Sequence, residues 1–315
     1  MAQKTWKGGD GAGTEDYSVV ANWVEAAIPT TNDTVTIPAN ADYGITAGLD
    51  QSAVAITSFE VEKGFSKNFG TDTAFLQITC TGTAPNFFKY EGSGTLARID
   101  LGASAIAPEI RNTGSPNLGE HALELKGTAM TALNLFKGHV GLGVEPDDIT
   151  TECDAINVAY INEGSKSTDA VLYIGKGVKD TGATDIQNIR MNGGQVFNFA
   201  NVETLDVVDG EYHQVDGAWV FTANFFGQSS VFPESDDTYT GGGSATATTL
   251  YSNAVVKLVD PRAKTFTKKV VLYSGTGWHD PLLRGTYTAQ IEFPDGIDTV
   301  DLRLGKAMKI TPAAI

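Results

Sequence analysis

Five short segments decide the fold: Ile156-Asn157-Val158, Leu172-Tyr173-Ile174, Ile189-Arg190-Met191, Leu205-Asp206-Val207 and Trp219-Val220-Phe221. In each, two large apolar residues flank one other residue, the spacing of a strand that buries one face. The first apolar residues follow one another at steps of 16, 17, 16 and 14, with Gly or Asn near most breaks. Such a recurrence predicts one strand per rung of a β-solenoid, in which no coil can bury its inner face until the next coil stacks on it. An antiparallel sandwich, with strands every ~8–12 residues, is the competing reading.

The same alternation extends outward from this core. Leu123/Leu125, Val140/Leu142/Val144 and Val300/Leu302/Leu304 repeat it, and Thr286 to Phe293 reads as a strand with Tyr287, Ala289, Ile291 and Phe293 facing in. The window Asp147–Glu163 is free of Pro and carries an acidic helix-start signal, but Ile156, Val158 and Tyr160 within it keep strand spacing. From 228 to 249 large aliphatics are scarce and Asp236-Asp237 and Gly241-Gly242-Gly243 occur, which reads as a loop or linker. The expected organisation is therefore a cap module over 1–40, a solenoid body over 41–227, the linker over 228–249, and a C-terminal β segment or small β domain over 250–315. The last part carries a basic cluster of Lys257, Arg262, Lys264, Lys268 and Lys269.

Composition narrows the function. The 315 residues include 38 Asp and Glu against 22 Lys and Arg, a formal charge of −16, with 35 Gly and 36 Thr. That charge repels phosphate, and no basic run interleaved with aromatics offsets it, so nucleic acid is not an expected partner. No apolar run reaches the ~18–20 residues needed to cross a bilayer, and Met1 to Trp6 lacks the apolar stretch of a signal peptide. Neither a membrane partner nor export by a signal peptide is expected.

Catalytic and cofactor signals are absent from the pattern. Cys80 and Cys153 stand in unrelated contexts and read as buried thiols. The four histidines, His121, His139, His213 and His279, show no metal-ligand or triad spacing. A glycosidase needs two acids ~5–9.5 Å apart in a cleft; Asp147/Asp148, Asp206/Asp209 and Asp236/Asp237 are merely adjacent acids in an acid-rich chain. The stretch Asp10 to Asp16 has turn glycines and oxygen ligands but not the EF-hand spacing, and it reads as a solvated turn. Trp278-His279-Asp280-Pro281 reads as a turn or an aromatic surface loop. No catalytic, cofactor-binding or metal-binding residue is assigned, and no enzyme activity is expected.

The N-terminal segment is the most specific. Trp6-Lys7-Gly8, Ala21-Asn22-Trp23, Pro29-Thr30-Thr31-Asn32-Asp33 and Val35-Thr36-Ile37 resemble the W-x-G…A-N-W…P-x-x-x-D-x-V-x-I module that begins β-helical segments in tailed-phage structural proteins and some bacterial surface proteins. Arg98-Ile99-Asp100-Leu101-Gly102, Leu123 to Gly127 and Phe136 to Gly143 fit the same group, so the resemblance covers about the first half of the chain. It implies an all-β fold, a parallel solenoid of the right-handed β-helix type with a Trp-containing cap. It also implies a virion structural protein, made in the host bacterial cytoplasm and placed on the capsid surface. As a capsid decoration or cement protein it would bind the major capsid protein, as a homotrimer. The alternative within the same resemblance is a tail fibre or tailspike that binds, or cuts, host polysaccharide.

Physics gives the opening its own reading. The first coil of a solenoid exposes apolar side chains and unpaired strand edges. Trp6 and Trp23 are large enough to plug that end, Pro29 and Pro38 suit strand boundaries, and Asp33 suits a turn. The competing role for the two tryptophans is carbohydrate or partner binding.

Overall fold

A computed structural model describes residues 2–9, 15–82, 87–94, 96–116, 121–145, 148, 150–159, 169–214, 220–225, 230–233, 245–250, 255–257, 264–266, 270–272, 275–280, 285–287, 291–293 and 300–304. The fold is an all-β parallel solenoid. Among the described residues every pairing between strands is parallel; nearly all strands fall into two ladders, and Lys264–Phe266 with Gly285–Tyr287 forms a separate two-stranded sheet. The two ladders join through Ile186–Asn198 and Val202–Gln214, long strands that turn a corner and take part in both.

One register column runs along the first ladder. Ile37, Val61, Tyr90, Ile110, Leu135, Val158, Met191, Val207, Phe225, Leu250 and Leu272 follow one another in register. Ile37 to Val207 in this column are fully buried, as is Leu272 at its far end. In the second ladder Ala97, Leu123, Val140, Leu172, Val196 and Tyr212 form the corresponding column, which continues in register through Val231 and Val256 to Trp278. Because the side-chain period of a strand is two, an in-register stack places like on like and closes a dry core between the ladders.

Coil length differs from the expected step. Neighbours in the first column are separated by between 16 and 33 residues. Leu172/Ile174 belongs to the second ladder, so Ile156 pairs with Ile189 and the intervening pair lies across the core. At the end of the repeat the register is shifted: Leu205 pairs with Ala223, Val220 and Ala223 are buried, and Phe221 is 38% exposed. Trp219 lies outside the described residues. The stretch 286–293 divides as well, since Gly285–Tyr287 pairs with Lys264–Phe266 while Ile291–Glu292 pairs with Val270–Leu272, and Phe293 is exposed.

Within 228–249, Ser230–Pro233 and Ala245–Leu250 are strands, and the rest of that stretch lies outside the described residues. Ala245–Leu250 pairs with Val220–Phe225 on one side and with Val270–Leu272 on the other. Trp278 sits in the strand Gly277–Asp280, fully buried, which overturns the surface-loop reading.

Glycine makes the corners. Gly210 (φ +103°) sits over Gly194 (φ +76°), and a Cβ on Gly210 would meet the Gly194 carbonyl oxygen at 2.5 Å. Coil therefore stacks on coil at main-chain contact where a side chain would hold the rungs apart.

The N-terminal end is capped as the tryptophans predict. Trp6, Trp23 and Tyr17 are buried and meet edge-on or stacked, with Trp23 5.2 Å from Trp6 and 4.8 Å from Tyr17 between ring centres. Trp23 Nε1 donates to the Tyr17 carbonyl and Trp6 Nε1 to that of Tyr43. The first strand, Gln3–Thr5, has its outer edge covered at Thr5, whose carbonyl accepts from Val24 N–H and whose N–H donates to the Glu25 carboxylate. With their rings buried, neither tryptophan offers a face to a carbohydrate. Asp33 closes a turn with Thr30, and its carboxylate accepts hydrogen bonds from the Ala2 and Thr30 N–H groups and the Thr30 hydroxyl. Burial opposes its charge, yet those bonds and the nearby Lys4 hold the carboxyl below its usual range.

Both cysteines are buried free thiols. Burial pushes Cys80 up to about 12 and raises Cys153 as well. Neither should react with a thiol reagent at pH 8 in the native protein, and both should do so in denaturant. Labelling of either without unfolding would contradict the packing.

Candidate functional site

What faces solvent on a stacked ladder is a set of columns, because residues at the same register on successive coils lie about 4.8 Å apart. On the outer face of the first ladder, Thr5, Thr36, Glu60, Lys89, Glu109 and Asn134 form one such column. Beside it runs a second, Gln3, Thr34 and Ser58. Between them lies a groove of about 490 Å³, floored by Val35, Phe59 and Phe87 and closed at one end by Arg111.

The charges of this groove are paired. Lys89 Nζ lies 2.9 Å from Glu60 and 3.1 Å from Glu91, while Arg111 reaches Glu109 at 2.9 Å and lies over the Phe136 ring. Burial works against the Lys89 charge, but the two carboxylates outweigh it and raise the ammonium above its usual value. By contrast the hydroxyls of Thr34, Thr36 and Ser58 and the Gln3 amide make no hydrogen bond to described protein groups.

The outer face of the second ladder carries a different arrangement. Arg98 Nε lies 2.7 Å from Glu124, which also meets His121 Nε2 at 2.8 Å. Arg98 and Lys126 both lie over the Phe75 ring and both approach Glu145. Burial disfavours the Glu124 charge, but the His121 hydrogen bond and the Arg98 charge hold its carboxyl below the usual range. Farther along the axis the column becomes aromatic: Tyr173 stacks on Phe197 at 4.7 Å and Phe197 on His213 at 4.4 Å. Their ring faces are spent on one another, which ties successive coils together.

The candidate acids are scattered. Asp148 accepts from the N–H and hydroxyl groups of Thr150 and Thr151, a local turn. Asp206 accepts from Asn224, and Asp209 from the Gly210 N–H at a corner. Asp147, Asp236, Asp237 and residues 10–14 lie outside the described residues, and Asp16 is engaged with Ser18. The histidines lie on separate partners: His121 on Glu124, His213 on Phe197, His279 on Asp301, and His139 outward on the strand Gly138–Leu142. Among the described residues no three His, Cys, Asp or Glu side chains are placed to hold a metal ion. No described helix is long and apolar enough to cross a membrane.

An acid pair that sequence spacing does not reveal lies at a corner. The Glu152–Lys179 bridge brings Asp154 and Asp180 together from neighbouring coils, and Asp154 also accepts from the Thr181 N–H. Asp180 is 5% exposed, and its hydrogen bond to Asp154, with burial and the Asp154 charge, pushes its carboxyl up to about 6. The folded state thus keeps a proton that the unfolded chain loses near pH 4, so this pair's contribution to stability falls as pH rises from about 4 to 6. Asp154, whose carboxyl is lowered, acts oppositely below that window. Asp180→Asn, which donates a hydrogen bond without needing the proton, should melt several degrees above the native chain at pH 8 and with little difference at pH 5. Equal melting temperatures at pH 8 would remove the shared-proton account.

Comparison of the chain with family models, with curated proteins and with solved structures finds no match in any of the three.

Proposed function

We propose that this chain is a non-enzymatic structural protein of a tailed-phage virion that decorates the outer capsid and stabilises the shell. The observation that carries the reading is the coincidence of motif and structure at the N-terminus: Trp6 and Trp23, which carry the resemblance to the phage module, are the buried plug on an in-register parallel stack. A stack of this kind is stiff, and its ion pairs lie spread along the outer faces.

The mechanism is mechanical. A rigid body that touches neighbouring capsomers together adds binding energy to the assembled shell and none to free subunits, which shifts the equilibrium toward the closed capsid. Its partner is the major capsid protein, and three copies around a local threefold axis would match the lattice symmetry. Three chains of −16 each carry −48, which favours the outside of the shell over its DNA-filled interior.

Electron microscopy of particles assembled with and without the protein tests this. Added density on the capsid lattice, with a higher disruption temperature of the shell, is expected. Density at the tail, with loss of host adsorption when the protein is omitted, would overturn the capsid placement in favour of a tail fibre or tailspike.

A further inference from the structure

We infer that the outer face of the second ladder is an acid-gated contact surface whose partner is the acidic first-ladder flank of a second copy of this chain. The stack gathers all four histidines of the sequence onto that one face. His121 bonds Glu124 and its ring lies 6.2 Å from that of Tyr173, while His139 stands outward on Gly138–Leu142 beside Val171. His213 stacks on Phe197, and His279, next to the inward Trp278, bonds Asp301. None is left for the first ladder. The side chains of His121, His213 and His279 keep 20, 13 and 14% exposure, so each presents an edge to solvent.

Histidine is the one side chain that ordinarily changes charge between pH 5 and 8. At neutral pH this face is near balance, because Arg98 matches Glu124, Lys126 matches Glu145 and Arg303 matches Asp301, while Glu211 is held by the Gln195 amide beside His213. Most of the formal −16 therefore lies elsewhere. Acidification to about pH 5.5 adds up to four positive charges here, and ordinary carboxylates are still ionised at that pH. The complement lies on the other side of the same coils. From Met191 to Val256 the chain has eight Asp or Glu and no Lys or Arg, and the first-ladder part of Val202–Gln214 carries Glu203, Asp206 and Asp209. Such a contact joins two different patches, so each copy can carry the next and the association extends as a row. It stands whether or not the chain decorates a capsid.

Sedimentation velocity of the purified chain at pH 7.5 and pH 5.5, over a range of concentrations, tests this. At pH 5.5 the weight-average mass should rise at least twofold above its pH 7.5 value and keep rising with concentration. His121→Gln, His139→Gln, His213→Gln and His279→Gln together should hold the mass at its pH 7.5 value. On the opposite flank Glu203→Gln with Asp206→Asn should do the same, and melting curves at pH 7.5 verify each fold. Should the fourfold variant not fold, the flank variant decides alone. No rise in the native chain, or an equal rise in either folded variant, would overturn the assignment, since an equal rise would trace the association to loss of net charge over the whole surface.

Discussion

Trp23→Ala should lower the unfolding free energy by ~3–5 kcal/mol, the usual cost of deleting a large buried aromatic. The ring is 1% exposed and packs against both Trp6 and Tyr17, and its indole N–H supplies the Tyr17 carbonyl with its hydrogen bond. Removing it opens a cavity at the solenoid end and leaves that carbonyl short of a donor. The loss should spread inward because each coil is held chiefly by its neighbours, so the first coils should become protease-sensitive below the main transition. Trp23→Phe keeps most of the packing and loses the hydrogen bond, and should cost markedly less. Thermal and urea unfolding of the three proteins measures this, and a native-like midpoint for Trp23→Ala would show that the plug is dispensable.

Gly175→Ala is expected to be at least as damaging, by a mechanism with no cavity in it. A Cβ there would lie 1.7 Å from the Gly143 carbonyl oxygen and 2.5 Å from its carbon, on the coil below. Both are main-chain atoms, so no side chain can move aside, and the two coils must separate or the register must slip. A cost above ~3 kcal/mol follows from overpacking of this severity. Gly182→Ala is the control: its φ is +74° but nothing lies within 4 Å, so only the ~1–2 kcal/mol of left-handed backbone strain applies. If the two substitutions destabilise equally in urea, contact between coils does not govern the corner.

Much of the fold is legible in the sequence, because a strand that buries one face leaves a period of two that needs no partner to be seen. Leu123/Leu125, Val140/Leu142 and Ile156/Val158 are buried strand positions for that reason. Trp6 and Trp23 are legible as a plug because a solenoid must close its ends. What sequence does not display is which strand lies on which, since pairing depends on coil length and the coils bulge by different amounts at their turns. Leu172/Ile174 has the same spacing as Ile156/Val158 and lies across the core from it. Phe221 and Trp278 show the same limit from two sides: a large apolar residue is exposed where Leu205 pairs four residues beyond Trp219, with Ala223, and another is buried where a Trp-His-Asp-Pro run reads as a turn.

The groove is illegible for a related reason. Thr36, Glu60, Lys89 and Glu109 are separated by 24, 29 and 20 residues and become neighbours only through the stack. The signal that could have found them is the outward position in each alternating strand, read together with its register. The pairing of Asp154 with Asp180 across a corner depends on that same register.

The varying coil lengths also separate two dimensions of growth. Residues added to a coil leave sideways at its turns, whereas the rung height stays near 4.8 Å whatever the coil contains. Reach along the axis is therefore counted in whole turns of chain, and girth is adjusted residue by residue. From Thr5 to Glu292 the outer column of the first ladder takes twelve steps, roughly 58 Å at that spacing. The molecule works as a graduated rule whose marks are fixed by hydrogen bonding: its length changes only by gain or loss of an entire turn, while its outline can be remodelled without altering the scale.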